Sequence, residues 1–283
     1  MPQALAASDA GMELIDRRPH LLSASPTSIL LIGGRSLAFA YSGRLDEAEE
    51  LSSRALEAAR AAGRSSCFAN GYRAHALLSR GRLPEALRYA RRALEKAETV
   101  ESPLSRAAAR VNCGSVASLL ALWAEGEQWG EEGVAILRAH HVGMQLEPLL
   151  LTFWAEGLAF KGDHGREREL VGEAIDKAQS FGAGVYQFRA HLGHARVLRA
   201  IAAPADAGGI ERALQLAEER AVEIGLAGWL PWVYEERAAL ALALGDEARH
   251  RTHLAEARRL YEAIGAAGHL ERLAERAQSA RPD

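Results

Sequence analysis

The chain has 283 residues, of which 48% are hydrophobic and 25% are charged, and this balance is typical of a soluble protein with a packed core. Disordered and collagen-like chains are therefore excluded. The formal net charge is −3, which excludes a general nucleic-acid binder, since such a protein needs a basic surface. Only 23 residues are β-branched, whereas alanine, leucine, glutamate and arginine fill most positions. This composition favours helix along almost the whole chain.

The cysteine content and the N-terminus indicate a cytoplasmic protein without a membrane partner. Cys67 and Cys113 are too few for a disulfide framework, and they predict two small buried thiols in a reducing compartment. The longest apolar run near the N-terminus, Ile29 to Ile32, is far shorter than the roughly 20 residues that span a bilayer. Asp9 and Glu13 stand where an export signal would carry basic residues.

A repeat runs through the chain. Residues 42–59 and 79–97 align without a gap when Gly43 is placed on Gly81, 38 residues later, and the leucines and alanines that follow then coincide. The pattern recurs more loosely around further turns, which we place at Gly126, Gly162, Ala200 and Gly245. The spacing averages about forty residues, which is in the range of helix-pair repeats.

Each repeat is predicted to be an antiparallel helix hairpin. The glycine allows the left-handed conformation that ends the first helix, and a small alanine lets the second helix cross closely. One hairpin cannot bury its apolar stripe alone, so the hairpins are expected to stack and share a core. Residues 268–280 fit a C-terminal capping helix. Residues 1–26 are expected to form an arm or a capping helix, and residues 27–283 a single superhelical domain.

The Gly-x-x-x-Glu-Ala junctions, the paired Ala-Leu of the second helices and Leu192-Gly193 resemble those of tetratricopeptide (TPR) repeat proteins. This resemblance implies an all-α fold, a right-handed α-solenoid of about six helix hairpins. In addition, residues 244–277 resemble the helical-repeat C-terminal regions of bacterial signalling ATPases, including MalT-like regulators and ATPase-coupled adenylate cyclases. The second resemblance rests on this tail and on the long, degenerate units.

The phosphate-binding loop of the signalling ATPases is absent. No glycine in the chain is followed directly by lysine, so the GxxxxGK[ST] motif cannot occur. Residues 29–36, Ile-Leu-Leu-Ile-Gly-Gly-Arg-Ser, imitate the strand-then-glycine pattern but lack the lysine and continue directly into the first repeat. We therefore predict that this segment starts a helix and binds no nucleotide.

The histidines and cysteines do not form a recognisable catalytic or metal-binding pattern. His191 with His194, and His250 with His253, lie three residues apart on predicted helices. A zinc site needs three or four ligands, and neither pair has a nearby cysteine or an HExxH arrangement. No GxSxG elbow is present. The sequence therefore predicts a protein that is not an enzyme and that uses no metal or cofactor.

The TPR resemblance implies that the first helices line the inside of the superhelix, at positions 13, 10, 6 and 3 before each junction. The candidate partner-binding residues at or next to these positions are Phe68, Tyr72, His75, Trp123, Phe153, Glu156, Phe160, Gln187, His194, Trp232 and Glu235. No mapped position is basic, so a clamp for a C-terminal carboxylate is disfavoured. The groove is expected to suit an apolar helix or extended segment whose basic or hydroxyl groups face Glu156 and Glu235.

Two functions remain open from the sequence. The first is a protein-interaction module in bacterial signalling or regulation, which holds a peptide or helix of a protein partner in its concave groove. The second, implied by the signalling ATPases, is a regulatory domain in which a small-molecule effector binds inside the superhelix. An enclosed polar pocket would favour the second function, and an open apolar groove would favour the first.

Overall fold

The computed structural model describes residues 25–63, 67–100, 102–162, 165–203 and 205–279, together with Asp9, Met12, Glu13, Ile15 and Arg17. Most of the predicted arm or capping helix over residues 1–26 lies outside this part of the chain. The described part contains thirteen α-helices: Pro26–Tyr41 (α1), Leu45–Ala61 (α2), Cys67–Arg80 (α3), Leu83–Glu98 (α4), Pro103–Leu120 (α5), Trp123–His140 (α6), Glu147–Lys161 (α7), Glu167–Ser180 (α8), Gly184–Ala202 (α9), Ala207–Ile224 (α10), Leu230–Ala243 (α11), Glu247–Ala263 (α12) and Ala267–Ser279 (α13).

The helices are arranged as six hairpins, each made of an odd-numbered helix and the even-numbered helix after it, followed by α13. The odd-numbered helices of neighbouring hairpins also pack against one another, and this forms the inner layer of the solenoid. Small residues sit at the helix crossings; Ala48 and Ala86 are fully buried, as the repeat predicts. The predicted all-α solenoid of helix hairpins is therefore confirmed.

Glycine ends the first helix in four of the six hairpins. Gly43, Gly81, Gly162 and Gly245 have φ angles of +82°, +86°, +78° and +73°. This left-handed conformation turns the chain towards the second helix, and glycine adopts it without the steric cost of a Cβ atom. The repeat spacing correctly located these four turns.

The third hairpin turns at a different residue from the one predicted. Helix α5 ends at Leu120, and Ala121 takes the left-handed conformation with a φ of +57°. Gly126 lies inside α6, so the prediction of a turn at Gly126 is wrong. An alanine in this conformation costs about 1 kcal/mol relative to glycine.

The solenoid closes on itself. The Gly228 amide, just before α11, donates a hydrogen bond to the Tyr41 carbonyl oxygen at the end of α1, over 2.9 Å. His269 of α13 contacts the Leu78 carbonyl oxygen of α3, also over 2.9 Å. The first two hairpins therefore meet the last hairpin and the capping helix, and the concave surface becomes the interior of a closed ring of hairpins.

Three further predictions from the sequence can be compared with the described residues. Cys67 and Cys113 are free and buried, which confirms the two buried thiols, and burial raises the pKa of their thiols to about 11 and about 12. Residues 29–36 lie within helix α1, as predicted. None of the described helices combines the length and the apolar character that a membrane crossing requires.

Candidate ligand-binding interior

The interior contains two pockets of different chemistry. We call the first the aromatic pocket; it has a volume of about 250 Å³ and is lined by α1, α3, α5, α7, α9, the segment before α7 and the turn before α11. Its aromatic wall consists of Tyr41, Phe68, Tyr72, Tyr186 and Trp229. Aliphatic side chains complete the apolar surface, so the pocket has the concave, largely apolar character of a ligand site.

A small set of polar groups interrupts the aromatic wall: His75, Asn112, Ser115, Gln145 and Arg189. Burial lowers the pKa of His75 to about 4, against the raising effect of its hydrogen bond to Asn112, so this imidazole is neutral at pH 7. The Nδ1 atom of His75 and the Nε1 atom of Trp229 are buried without a hydrogen-bond partner among the described residues. Convergent polar groups of this kind orient a bound molecule.

We call the second pocket the charged pocket, and it has a volume of about 120 Å³. Its lining includes Ser118, Trp123, Arg196, Arg199, Trp232, Glu235, Glu236, Arg272 and Arg276. Its charged groups are four arginines and two glutamates, and each glutamate pairs with two of the arginines. Arg272 and Arg276 pair with Glu235, and Arg196 and Arg199 pair with Glu236. Burial raises the pKa of Glu235, but Arg272 outweighs this effect and lowers the pKa to about 2, so the carboxylate is ionised.

A buried ionic cluster separates the two pockets. Glu156 of α7 is only 1% exposed and accepts a 2.6 Å hydrogen bond from the Ser118 hydroxyl. Its Oε1 atom lies 3.5 Å from Arg196 Nη1 and 3.7 Å from Arg189 Nη2. Arg196 makes its shortest ion pair, 2.6 Å, with Glu236. Glu156 is therefore shared between two guanidinium groups, neither of which binds it closely.

The cluster carries more positive than negative charge. Three arginines, Arg189, Arg196 and Arg199, face two carboxylates, Glu156 and Glu236. Arg189 has the weakest compensation, and desolvation lowers its pKa to about 10 in spite of the opposing effect of Glu156. The group still remains protonated at pH 7, so these five residues of the buried ionic cluster hold one cation in excess.

The structure brings six of the eleven predicted residues to the pocket walls. Phe68, Tyr72 and His75 line the aromatic pocket, and Trp123, Trp232 and Glu235 line the charged pocket. Trp123 stacks on Phe160, with ring centroids 4.1 Å apart. Whether these residues contact a partner stays a prediction.

The remaining predicted residues lie beside or below the pockets. Phe153 is 1% exposed and lies under Arg189, whose guanidinium carbon is 5.3 Å from the ring centroid. Gln187 is buried, and its amide donates to the Ala178 carbonyl oxygen. His194 is half-buried, and burial lowers its pKa. The expectation that Glu156 is open to a basic group of a partner is wrong, because Ser118 and two arginines surround it.

The residues of α5 and α9 that face the interior differ from those predicted from the sequence. Counting from Ala121 instead of Gly126 gives Ala108, Val111, Ser115 and Ser118, and all four line a pocket. In α9 the inward residues Tyr186, Arg189 and Arg196 each precede the predicted position by one residue. The expectation that no basic residue faces the interior is therefore wrong. Both errors occur in hairpins that turn without a glycine, because the inward positions were counted back from a junction glycine and none is present there.

The histidines of the described residues do not converge on a metal-binding group. No cluster of three or more histidine, cysteine, aspartate or glutamate side chains with suitable spacing occurs in the part of the chain that the structure describes. His250 instead bonds through Nδ1 to the Ala238 carbonyl oxygen, over 2.8 Å. Burial is the main cause that lowers the pKa of His191, to about 4, so this imidazole is neutral at pH 7.

No protein-family model matches this sequence, and no curated protein sequence matches it. Solved structures do share its fold. A crystal structure of a Rap protein complexed with competence and sporulation factor aligns with a TM-score of 0.70 and 15% identity, covering 93% of this chain and 71% of that chain. The apo form of RapI aligns with a TM-score of 0.66 and 12% identity, covering 91% of this chain and 93% of that chain. The similarity to these proteins spans nearly the whole TPR-like solenoid.

Proposed function

We propose that this chain is a non-catalytic binding module of the TPR-like type and that its aromatic pocket holds a short segment of a peptide or protein partner. The observation that carries the proposal is the pocket itself, in which helices α1, α3 and α9 and the turn before α11 place five aromatic rings around a few polar groups. Such a combination of apolar wall and convergent polar groups is typical of ligand sites. The similar Rap structure is complexed with competence and sporulation factor, so a solenoid of this fold does bind a ligand.

The size of the pocket limits what it can hold. A volume of about 250 Å³ accommodates a few side chains, whereas an α-helix with its side chains is about 10 Å wide. The contact between Gly228 and Tyr41 also narrows the interior beside the pocket. We therefore propose an extended segment of a few residues as the bound partner, and a role for the module in cytoplasmic signalling or regulation.

The closure of the solenoid beside the pocket also supports a second candidate, a domain that senses a small-molecule effector. Tyr41 and Trp229 come from opposite ends of the solenoid, and their rings meet with centroids 4.4 Å apart in the pocket wall. A ligand that touches both rings would stabilise the closed solenoid, because binding energy adds to the stability of the bound form. This candidate is the function that the resemblance of residues 244–277 to signalling ATPases implies.

Affinity selection with the full chain tests the proposal. The immobilised protein is incubated with a random library of N-acetylated tetrapeptides or with a metabolite mixture, and retained molecules are identified by mass spectrometry. The variant Ala108→Phe fills the aromatic pocket from the half-exposed wall of α5, and Ala61→Phe adds the same ring at an exposed position on α2.

We expect the wild type and Ala61→Phe to retain the same molecules, and Ala108→Phe to lose them. Retained peptides support the interaction module, and retained metabolites alone support the sensor. Equal retention by the wild type and Ala108→Phe would show that the aromatic pocket is not the binding site.

A further inference from the structure

The charge of the aromatic pocket indicates which ligand it suits. Arg189 is the one charged residue among the described residues that line it, and no aspartate or glutamate belongs to this wall. Its side chain is 4% exposed, so the guanidinium is largely removed from water. A buried cation is costly unless anions or acceptors compensate it, and this wall supplies no anion.

The contacts of Arg189 on its far side compensate it only partly. Its Nη2 atom lies 3.7 Å from Glu156 Oε1 and 3.5 Å from Ser118 Oγ, whereas charge-assisted hydrogen bonds usually measure about 2.7–2.9 Å. Arg196 approaches Ser118 Oγ more closely, at 2.7 Å, and it competes for the same Glu156 oxygen. The nearby protein groups thus leave Arg189 with unused hydrogen-bonding capacity.

A second feature of the wall also favours an acceptor. Trp229 is 3% exposed, and its Nε1 atom has no hydrogen-bond partner among the described residues. An indole nitrogen only donates, so an oxygen atom is the group that would satisfy it. Asn112 and Ser115 add neutral donors and acceptors to the same wall. The described lining of the pocket therefore offers several hydrogen-bond donors but no negatively charged acceptor.

A carboxylate is the anion that fits this arrangement. Its two oxygens match the planar fork of a guanidinium, and its single negative charge equals the one excess cation of the buried ionic cluster to which Arg189 belongs. A phosphate dianion would leave one negative charge uncompensated in a pocket of mainly aromatic and aliphatic residues. The aromatic rings would contact the apolar group that carries the carboxylate.

We propose that the aromatic pocket binds a carboxylate attached to an apolar or aromatic group and that the Arg189 guanidinium anchors it. This inference rests on the proposed binding function of the same pocket. The carboxylate could be the C-terminus of a short peptide or belong to a small organic acid, and the two sources share the chemistry that Arg189 recognises.

The test compares acids with their amides on the full chain. The first probes are two random libraries of N-acetylated tetrapeptides, one with a free C-terminal carboxylate and one amidated. The second probes are 3-phenylpropionate and indole-3-acetate with the corresponding amides. The variants are Arg189→Met, Arg189→Lys, the pocket-filling Ala108→Phe, and Arg258→Met as an exposed control on α12.

We expect the wild type and Arg258→Met to retain acids about tenfold or more over amides, as for a hydrogen bond to a charged group. Arg189→Met should abolish that preference, and Arg189→Lys should keep part of it. Arg189→Met should still fold, because Glu156 keeps Arg196 and Ser118 as partners. The comparison of acids with amides on the wild type needs no variant and tests the preference by itself. The retained class identifies the source as peptide or small acid.

Two results would overturn the inference, and they differ in what they mean for the function. If acids and amides are retained equally and Ala108→Phe releases both, the binding function stands and the carboxylate anchor is wrong. If no probe is retained above the level of Ala108→Phe, both the anchor and the proposed binding function are wrong.

Discussion

The Nε2 atom of His269 lies 2.9 Å from the carbonyl oxygen of Leu78, although the two residues are 191 positions apart in the chain. The other ring nitrogen, Nδ1, lies 3.1 Å from Nη2 of Arg272. Because a guanidinium only donates, Nδ1 must accept, and the proton of the neutral ring must be on Nε2. The neutral tautomer of His269 thus joins the capping helix α13 to helix α3.

This arrangement predicts that acid weakens the closed solenoid. Burial and the positive charge of Arg272 lower the pKa of His269 to about 4, although the Glu235 carboxylate opposes this shift. The histidine of the unfolded chain has a pKa of about 6.5. Between these values the unfolded chain binds more protons, so the free energy of unfolding falls as the pH falls from 6.5 to 4. The contribution of His269 is at most about 3 kcal/mol.

Urea unfolding at pH 7, 6 and 5 measures this effect, and His269→Gln provides the comparison. A glutamine amide can donate to the Leu78 carbonyl oxygen and accept from Arg272 without titrating. The variant should therefore lose less stability between pH 7 and pH 5 than the wild type. Buried His75 adds to the pH dependence of both proteins and does not affect their difference. His269→Leu lacks both hydrogen bonds and should be less stable at every pH. Equal slopes for the wild type and His269→Gln would contradict the assignment.

The closure of the solenoid also depends on glycine at position 268. A Cβ atom there would lie 2.6 Å from the Gly81 carbonyl oxygen, closer than real contacts allow. Gly268→Ala must push α13 away from the turn after α3, and we expect a loss of about 1–3 kcal/mol of unfolding free energy. Gly172→Ala is the matched control, because Gly172 lies within α8 and a Cβ atom there meets no neighbour.

The control should stabilise the protein by up to about 1 kcal/mol, since alanine favours helix over glycine. Thermal melting of both variants gives the comparison. If Gly268→Ala melts at the wild-type temperature, the contact between α13 and the turn at Gly81 does not contribute to stability.

The buried ionic cluster predicts a large effect of a conservative change at Glu156. Glu156→Gln keeps the shape of the side chain but leaves Arg189 and Arg196 with less compensation. Removing one partner of a buried ion pair typically costs about 3–5 kcal/mol. Glu57→Gln, at an exposed position on α2, should change stability by less than about 0.5 kcal/mol.

The excess positive charge of the buried ionic cluster also predicts how two substitutions combine. If Arg189 is the excess cation, the double variant Glu156→Gln, Arg189→Met should be more stable than Glu156→Gln alone. Urea midpoints of the four proteins give the coupling energy. Purely additive losses would contradict the assignment of the excess charge to Arg189.

The sequence was informative where structure is local. The spacing of Gly43, Gly81, Gly162 and Gly245 located four turns, because each turn needs a conformation that glycine adopts most easily. Where Ala121 takes this conformation instead, the counted register of α5 was five residues off, and the inward residues of that helix were misassigned. A glycine signal thus predicts a turn, but its absence does not exclude one.

The closed interior could not be predicted from the repeat. The contacts of Gly228 with Tyr41 and of His269 with Leu78 depend on the small rotation between hairpins, summed over the whole solenoid. The periodicity of the helices in the sequence gives no information about this accumulated rotation. The same limit applies to Arg189, whose inward position depends on a register shift of a single residue in α9.

The stacked pair of Trp123 and Phe160 gives the final prediction. The sequence predicts that Trp123 is a partner-binding residue of the groove, but its ring lies parallel to that of Phe160, with 8° between the planes. Trp123→Ala should therefore lower the free energy of unfolding by about 1–3 kcal/mol. A double-mutant cycle with Phe160→Ala should give a coupling of about 0.5–1.5 kcal/mol for the stack. Phe181→Ala, which removes a largely exposed ring at the end of α8, serves as the control and should cost less. A wild-type melting temperature for Trp123→Ala would show that the tryptophan is free for recognition, as the sequence first indicated.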